Sequence, residues 1–310
     1  MIAEGATNST ANAAESMLRA ELARGESALR SIDPVLRHLV CNDDQSIFSE
    51  EIIARTRGMI GALATHMLHE VWAAGRRHAS RREDEARLSA ALLAQPVLLG
   101  HCHALALEGQ LAERLAAQAR LDPALSPLTE ALLAAPDAEV AGLAMKVLTA
   151  QTRFMQGQRR MDITPDELPA DLLHDALIAL EDIGGAEVSP NAAAIRARYD
   201  EARSRMGLLT RLVLGLGRDH AQALALGEAG LGTFTSALSL AAMQDRAQVV
   251  LAMTDGQQAR LATMLAAAGL PAAQIEATLA LVHPDIAPAR HYLGLDRGHA
   301  AALLASGGQA

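Results

Sequence analysis

Aromatic residues are scarce in this chain: only six occur among 310 residues, although half of all residues are apolar. They are Phe48, Trp72, Phe154, Tyr199, Phe234 and Tyr292. Leucine and alanine must therefore fill nearly all of the core, and both are strong helix formers. Alternating runs of valine, isoleucine, threonine and aromatic residues, which strands require, are almost missing. These shortages exclude a β-rich core and predict an all-α fold.

Lysine and cysteine are also rare. Lys146 is the only lysine, so arginine supplies the basic groups, and Schiff-base chemistry has one candidate without a visible activating neighbour. Cys41 and Cys102 lack metal-ligand spacing and are too few for a disulfide framework, which is typical of a reducing compartment. Residues 1–12 have no basic region or apolar core of a secretory signal, so we expect a disordered tail and a cytoplasmic protein.

The charge balance disfavours nucleic-acid binding. The formal net charge is −9, whereas affinity for phosphate backbones depends on clustered basic residues. The densest basic cluster is followed at once by Glu83, Asp84 and Glu85, which neutralise it. Residues 88–107 carry no formal charge, but Pro96 interrupts them, so we predict a pair of buried helices rather than a membrane span.

Prolines and glycines divide the chain into a series of helical patterns joined by short links. Short links make successive helices antiparallel neighbours, so the sequence predicts stacked antiparallel hairpins. One long pattern covers residues 190–216. The segment IGGAEVSPN at 183–191 combines two glycines, a proline and polar residues, as domain boundaries do. We predict two lobes with the following limits: a tail at 1–12, an N-terminal helical-repeat lobe at 13–184, a linker at 185–189 and a C-terminal helical lobe at 190–310.

One passage resembles a known repeat. Residues 128–148, LTEALLAAPDAEVAGLAMKVL, resemble a HEAT-type helical hairpin with its turn at Pro136 and Asp137. Leu128 and Leu132 mark the apolar face of the first helix, and Ala144 faces back from the second. The resemblance implies a partly HEAT-like array, a class that mostly provides binding surfaces. The overall composition is also similar to helical-repeat proteins of GC-rich bacteria, which implies no particular activity.

Four ionisable residues are the candidate binding site. Glu70 falls near the centre of the apolar stripe of its helix, and His66 lies one turn earlier at the edge of that stripe. On the helix that begins at Pro96, His101 and Glu108 are seven residues apart and share one face. If the two helices pack side by side, two histidines and two carboxylates would converge.

Three interpretations of this set remain open. In the first, they form a buried, hydrogen-bonded polar anchor. In the second, they reach solvent or a groove. In the third, they bind zinc, iron or manganese. The spacing differs from the Glu-x-x-His pattern of di-iron bundles and from zinc-protease motifs, so we assign no metal and no cofactor. The glycines of GLGRDH (215–220) and LGEAGLG (226–232) follow helices rather than strands, so we interpret them as interhelical turns.

No local motif identifies a nucleophile or a catalytic pair. The sequence therefore favours a non-enzymatic scaffold or adaptor that offers a concave helical surface to a protein partner. Two alternatives remain: a carrier that holds an apolar small molecule between helices, and a metal-dependent enzyme built on His66, Glu70, His101 and Glu108.

Overall fold

Helices account for all the regular structure. The computed structural model describes residues 14–30, 32, 35, 49–73, 78–217, 220–287, 289 and 292–307. Within these ranges no strand occurs, which confirms the all-α prediction. The predicted tail at 1–12 lies outside the described residues.

The helices follow one another closely along the chain. They are α1 (14–30), α2 (Glu50–Ala73), α3 (His78–Leu93), α4 (Pro96–Ala119), α5 (Pro127–Leu133), α6 (Ala138–Arg160), α7 (Ala170–Gly184), α8 (Ser189–Arg198), α9 (Arg205–Gly215), α10 (His220–Ala223), α11 (Leu226–Ala242), α12 (Arg246–Ala252), α13 (Gln258–Ala267), α14 (Ala272–Val282) and α15 (Arg297–Gly307). Single 3-10 turns occupy Pro165–Glu167, Gly185–Glu187 and Glu201–Arg203.

Local sequence sets several helix starts. Pro96 occupies the first turn of α4, where its missing N–H costs nothing, and the chain bends by 90° between residues 81–93 and α4. Asp137 caps α6 by accepting hydrogen bonds from the backbone of Glu139 and Val140. The segment that resembles a HEAT hairpin therefore forms two helices, α5 and α6, with the turn where the sequence predicts it.

By length and apolarity, no single helix among the described residues qualifies as a membrane span, and only the bent pair formed by residues 81–93 and α4 passes that test.

The long helical pattern at 190–216 forms two helices rather than one. The structure ends α8 at Arg198 and begins α9 at Arg205. Asp200 accepts a hydrogen bond from the backbone of Ala202, and Ser204 accepts one from Gly207, so two side-chain caps compete with a continuous helix.

The core contains two large apolar clusters, and α4 contributes to both. Leu98 and Leu99 of α4 pack with α2, α3, α7 and α8 in the first cluster, and Leu111 and Leu115 pack with α11 to α14 in the second. Phe154 of α6 contacts both clusters. The predicted linker at 185–189 forms a 3-10 turn and the start of α8, with Val188 buried in the first cluster.

Candidate functional site

A buried carboxylate lies between three helices. Glu108 of α4 is 1 % exposed and accepts hydrogen bonds from Arg205 of α9 and Arg246 of α12. Arg246 donates from Nη1 to Oε2 at 2.6 Å and from Nη2 to Oε1 at 2.7 Å. Arg205 donates from Nη2 to Oε1, and from Nη1 to Oε2 at 3.3 Å. Both contacts are two-point guanidinium–carboxylate pairs, which are strong and directional.

The two arginines keep Glu108 ionised. Burial alone raises the pKa of this carboxyl group, but the charges and hydrogen bonds of Arg205 and Arg246 outweigh burial and lower the pKa to about 2. Burial lowers the pKa of Arg205, while Glu108 raises it. An arginine side chain stays protonated in proteins, so the three residues form a permanently charged cluster at neutral pH.

Both arginines begin a helix. Arg205 follows the capping residue Ser204, and Arg246 follows Asp245 at the start of α12. The positive end of a helix dipole disfavours cations at this position, so each arginine needs a compensating anion. Glu108 supplies it for both, and Glu167 adds a second contact by accepting a hydrogen bond from the Arg205 backbone N–H at 2.7 Å.

Two residues of α6 complete the surroundings of Arg205. Gln151 accepts a hydrogen bond from Arg205 Nε at 2.7 Å and donates one to the carbonyl of Pro123 at 2.8 Å. The guanidinium carbon of Arg205 lies 3.7 Å from the ring centre of Phe154, a cation–π contact. Contacts with Glu108, Glu167, Gln151 and Phe154 therefore hold Arg205 in one position.

The glycines of residues 226–232 serve this packing. Gly230 has a φ of +71°, which kinks α11, and a Cβ there would lie 2.9 Å from Ser126 Cβ. A Cβ on Gly232 would lie 2.8 Å from Gln151 Oε1 and 3.1 Å from Arg205 Nη2. Gly230 separates two helical segments within α11, as the interhelical-turn interpretation expects, whereas Gly232 lies in the helical segment after the kink.

Three further titratable groups on α4 are uncharged at neutral pH. Burial, with a contribution from Arg246, lowers the pKa of His101 to about 4, and burial lowers that of His103 to about 4. Burial raises the pKa of the Cys102 thiol to about 12. Both imidazoles are therefore neutral and the thiol is protonated at pH 7.

The structure places the four predicted site residues as follows. α2 packs against α4, but His66 Nε2 lies 2.7 Å from Asp162 Oδ1, and Glu108 binds two arginines. His101 is close enough to Glu108 for that charge to raise its pKa, although burial dominates. The backbone of Glu70 is helical, and its side chain lies outside the described residues. Where side chains are described, no group of three or more histidine, cysteine or acidic residues is arranged to hold a metal ion.

A groove opens beside Arg205. It consists of two adjoining cavities, which share Arg153, Thr164 and Glu167. The apolar cavity has a volume of about 230 Å³, and the larger charged cavity has a volume of about 720 Å³. Most of the walls come from α6, the segment 162–167, residues 198–203 and α9, and Met59 of α2 and Leu105 of α4 also line the apolar cavity.

Basic side chains outnumber acidic ones along the groove. Its basic residues are Lys146, Arg153, Arg160, Arg198, Arg203, Arg205 and Arg211, and its acidic residues are Asp162, Asp166, Glu167 and Asp200. These arginines do not stand out in the sequence, because arginine is common on the solvent-exposed faces of helices. The one available signal was the spacing of Lys146, Arg153 and Arg160, which places them on one face of α6.

Comparisons of the chain with protein-family models, with curated proteins and with solved structures find no significant match. The site is therefore described from its own geometry, in which Arg205 of the buried ionic cluster lines a basic groove.

Proposed function

We propose that this protein is a non-enzymatic scaffold or adaptor that holds a protein partner in the groove between α6 and α9. The observation that carries the proposal is a locally basic groove on a molecule with a net charge of −9. A patch whose sign opposes that of the whole molecule selects and orients a partner. The HEAT-like array predicted from the sequence belongs to the same proposal.

Several cations of the groove are available to a partner. The exposed side chains of Lys146, Arg153 and Arg211 form no salt bridge with any residue that the structure describes. Exposed cations of this kind steer the approach of an anionic surface, and they contribute to affinity when binding removes water from them. The groove thus combines two kinds of cation: exposed ones that form no salt bridge with a described residue, and the buried Arg205, which is held in place by its partners.

The chemistry of the buried groups also favours binding over catalysis. Glu108 has both oxygens occupied by arginines and a pKa of about 2, so it is a poor proton donor or acceptor at neutral pH. The Cys102 thiol is buried with a pKa of about 12, which opposes a nucleophilic role. These groups are better suited to holding the site rigid.

The carrier and metal-enzyme alternatives have less support. Small-molecule sites typically have volumes of about 300–1,000 Å³ and apolar linings. The apolar cavity of the groove is smaller, at about 230 Å³, and its larger cavity is lined by charged residues. A separate, mainly apolar pocket beside Leu224 and Leu240, at about 340 Å³, only reaches the lower end of that range. For a metal enzyme, the described part of the chain contains no group of three suitable ligands.

Photo-crosslinking followed by direct binding tests the proposal. A photoreactive amino acid replaces Thr149, an exposed residue that lines the charged cavity, and in a second version it replaces Ala302, an exposed residue of α15 outside the groove. We expect the Thr149 version, but not the Ala302 version, to crosslink one protein in the source cells. That protein is then purified, and its affinity is measured by isothermal titration calorimetry.

Charge reversal supplies the matched control. Arg153→Glu/Arg211→Glu changes the groove, and Arg82→Glu/Arg87→Glu makes the same charge change on exposed residues of α3. We expect the first pair to weaken binding at least tenfold and the second pair to change it less than twofold. Equal effects of the two pairs, or no protein specific to the Thr149 version, would overturn the proposal.

A further inference from the structure

We infer that the groove recognises an acidic peptide segment that inserts one aromatic side chain into the apolar cavity. This inference rests on the proposed function and names the chemistry of the partner. It joins three features of the groove: the size of the apolar cavity, the engagement of its acidic residues and the spacing of the cations on α6.

The apolar cavity has the size and lining of a pocket for one side chain. Its walls include the apolar residues Met59, Leu105, Phe154, Ile163 and Met206. Its volume of about 230 Å³ is below the roughly 300–1,000 Å³ of sites that hold a whole small molecule, so it suits a single large side chain such as an aromatic one. Aromatic side chains that fill such pockets dominate the binding energy of many protein interfaces.

The acidic residues of the groove are mostly engaged by partners within the protein. Asp162 lies 2.7 Å from His66, Glu167 accepts a hydrogen bond from the Arg205 backbone, and Asp200 accepts one from the Ala202 backbone. Arg153 and Arg160, which line the apolar cavity, form no salt bridge with any described residue. Apart from Arg205, whose charge is offset by Glu108, the groove carries six basic and four acidic side chains, so its net charge is positive and a carboxylate complements it.

The cations of α6 are spaced regularly. Lys146, Arg153 and Arg160 are seven residues apart, and a helix rises roughly 1.5 Å per residue, so neighbours in this row are about 10 Å apart. An extended peptide covers that distance in about three residues. Arg153 and Arg160 both line the apolar cavity, so carboxylates on either side of the inserted ring would meet them.

Selection from a displayed library of random twelve-residue peptides tests the inference. The immobilised full chain selects binders, and the best peptide is synthesised with its aromatic residue, or with alanine in that place. We expect enriched peptides to contain one tryptophan, phenylalanine or tyrosine flanked by aspartate or glutamate, at a spacing of three residues for extended binders or seven for helical ones. The alanine version should bind at least tenfold more weakly.

Two variants separate the contributions of the cavity and the charges. Met206→Trp fills the apolar cavity, and Met17→Trp is its control on the exposed surface of α1. We expect Met206→Trp to lower the affinity of the aromatic peptide at least tenfold and to leave the alanine peptide unchanged, while Met17→Trp affects neither. The charge-reversed Arg153→Glu/Arg211→Glu variant should weaken both peptides, and circular dichroism verifies that every variant is folded.

The outcomes distinguish this inference from the proposed function. Enriched peptides without acidic residues, or an alanine version that binds as tightly as its parent, would overturn the inference. Crosslinking at position 149 reports occupation of the groove by a protein whatever its sequence, so a specific crosslink would then leave the proposed function intact.

Discussion

Arg246 binds Glu108 through two nitrogen atoms, at 2.6 and 2.7 Å, although 138 residues separate them in the chain. Arg205 contacts the same carboxylate from α9. Glu108 thus connects α4 to the starts of two distant helices. Because both arginines lie at the positive end of a helix, the carboxylate offsets two guanidinium charges and two helix dipoles at once.

Removal of this carboxylate should destabilise the fold strongly. Glu108→Gln keeps the shape of the side chain but leaves two buried guanidinium groups without their counter-charge, which costs about 3–5 kcal/mol. Glu113→Gln is the control, because Glu113 lies on the same helix, is 36 % exposed and pairs with Arg55 at 2.9 Å. It should cost less than about 1 kcal/mol. Urea unfolding at pH 7 measures both, and similar losses would contradict a central role for Glu108.

Stability should fall steadily as the pH decreases below 6.5. His101 and His103 have ordinary pKa values of 6.5 that drop to about 4 in the folded chain, so between these values the unfolded chain binds more protons. Glu108 has a folded pKa of about 2 instead of 4.5, so its contribution, about 3 kcal/mol above pH 4.5, disappears as the pH approaches 2.

Urea unfolding at several pH values measures this dependence. His101→Gln should reduce the loss of stability between pH 6.5 and 4, because one of the imidazoles whose pKa is lowered by burial is gone, and should leave the loss below pH 4 in place. A wild-type free energy of unfolding that stays constant from pH 6.5 to 4 would contradict the burial of neutral imidazoles.

Substitution by alanine should have opposite effects at Gly227 and Gly232, which both lie near the start of α11. Gly232→Ala should cost about 1–3 kcal/mol, because the new Cβ would lie 2.8 Å from Gln151 Oε1. Gly227→Ala should be neutral or stabilise by up to about 1 kcal/mol, because no heavy atom lies within 4 Å of its added Cβ and alanine favours a helix. Thermal unfolding compares them, and a stable Gly232→Ala variant would refute the close packing against Gln151.

Two buried glutamines on α6 form a second matched pair. Gln151 accepts a hydrogen bond from Arg205 and donates one to Pro123, so Gln151→Met should cost about 2 kcal/mol or more. Gln158 is 2 % exposed; its Nε2 donates a weak hydrogen bond to Met59 Sδ at 3.5 Å, and its Oε1 has no hydrogen-bond partner among the described residues. Gln158→Met should therefore raise the free energy of unfolding by about 1 kcal/mol. Chemical denaturation tests the sign, and a large loss for Gln158→Met would reveal a polar contact that the structure does not contain.

The sequence predicted the helices better than their ends. α4 was expected to begin at Pro96 and does so, because proline is tolerated in the first turn of a helix. The pattern at 190–216 hid a break, because the caps Asp200 and Ser204 lie within residues of good helix propensity. Among the candidate site residues, Glu108 is buried between helices. Its arginine partners were not found, since each lies about 100 or more residues away along the chain.

Composition alone determined the all-α class of this protein. The chain is rich in leucine and alanine, and it has few aromatic residues and few alternating runs of β-branched residues, so it can bury its apolar surface only between helices. Hydrophobic periodicity indicated which face of α2 turns inward. Only the tertiary structure decided what meets Glu108 of α4, and where Lys146, Arg153 and Arg160 line a groove. Ion pairing depends on distances in space, and these arise when helices from distant parts of the chain pack together.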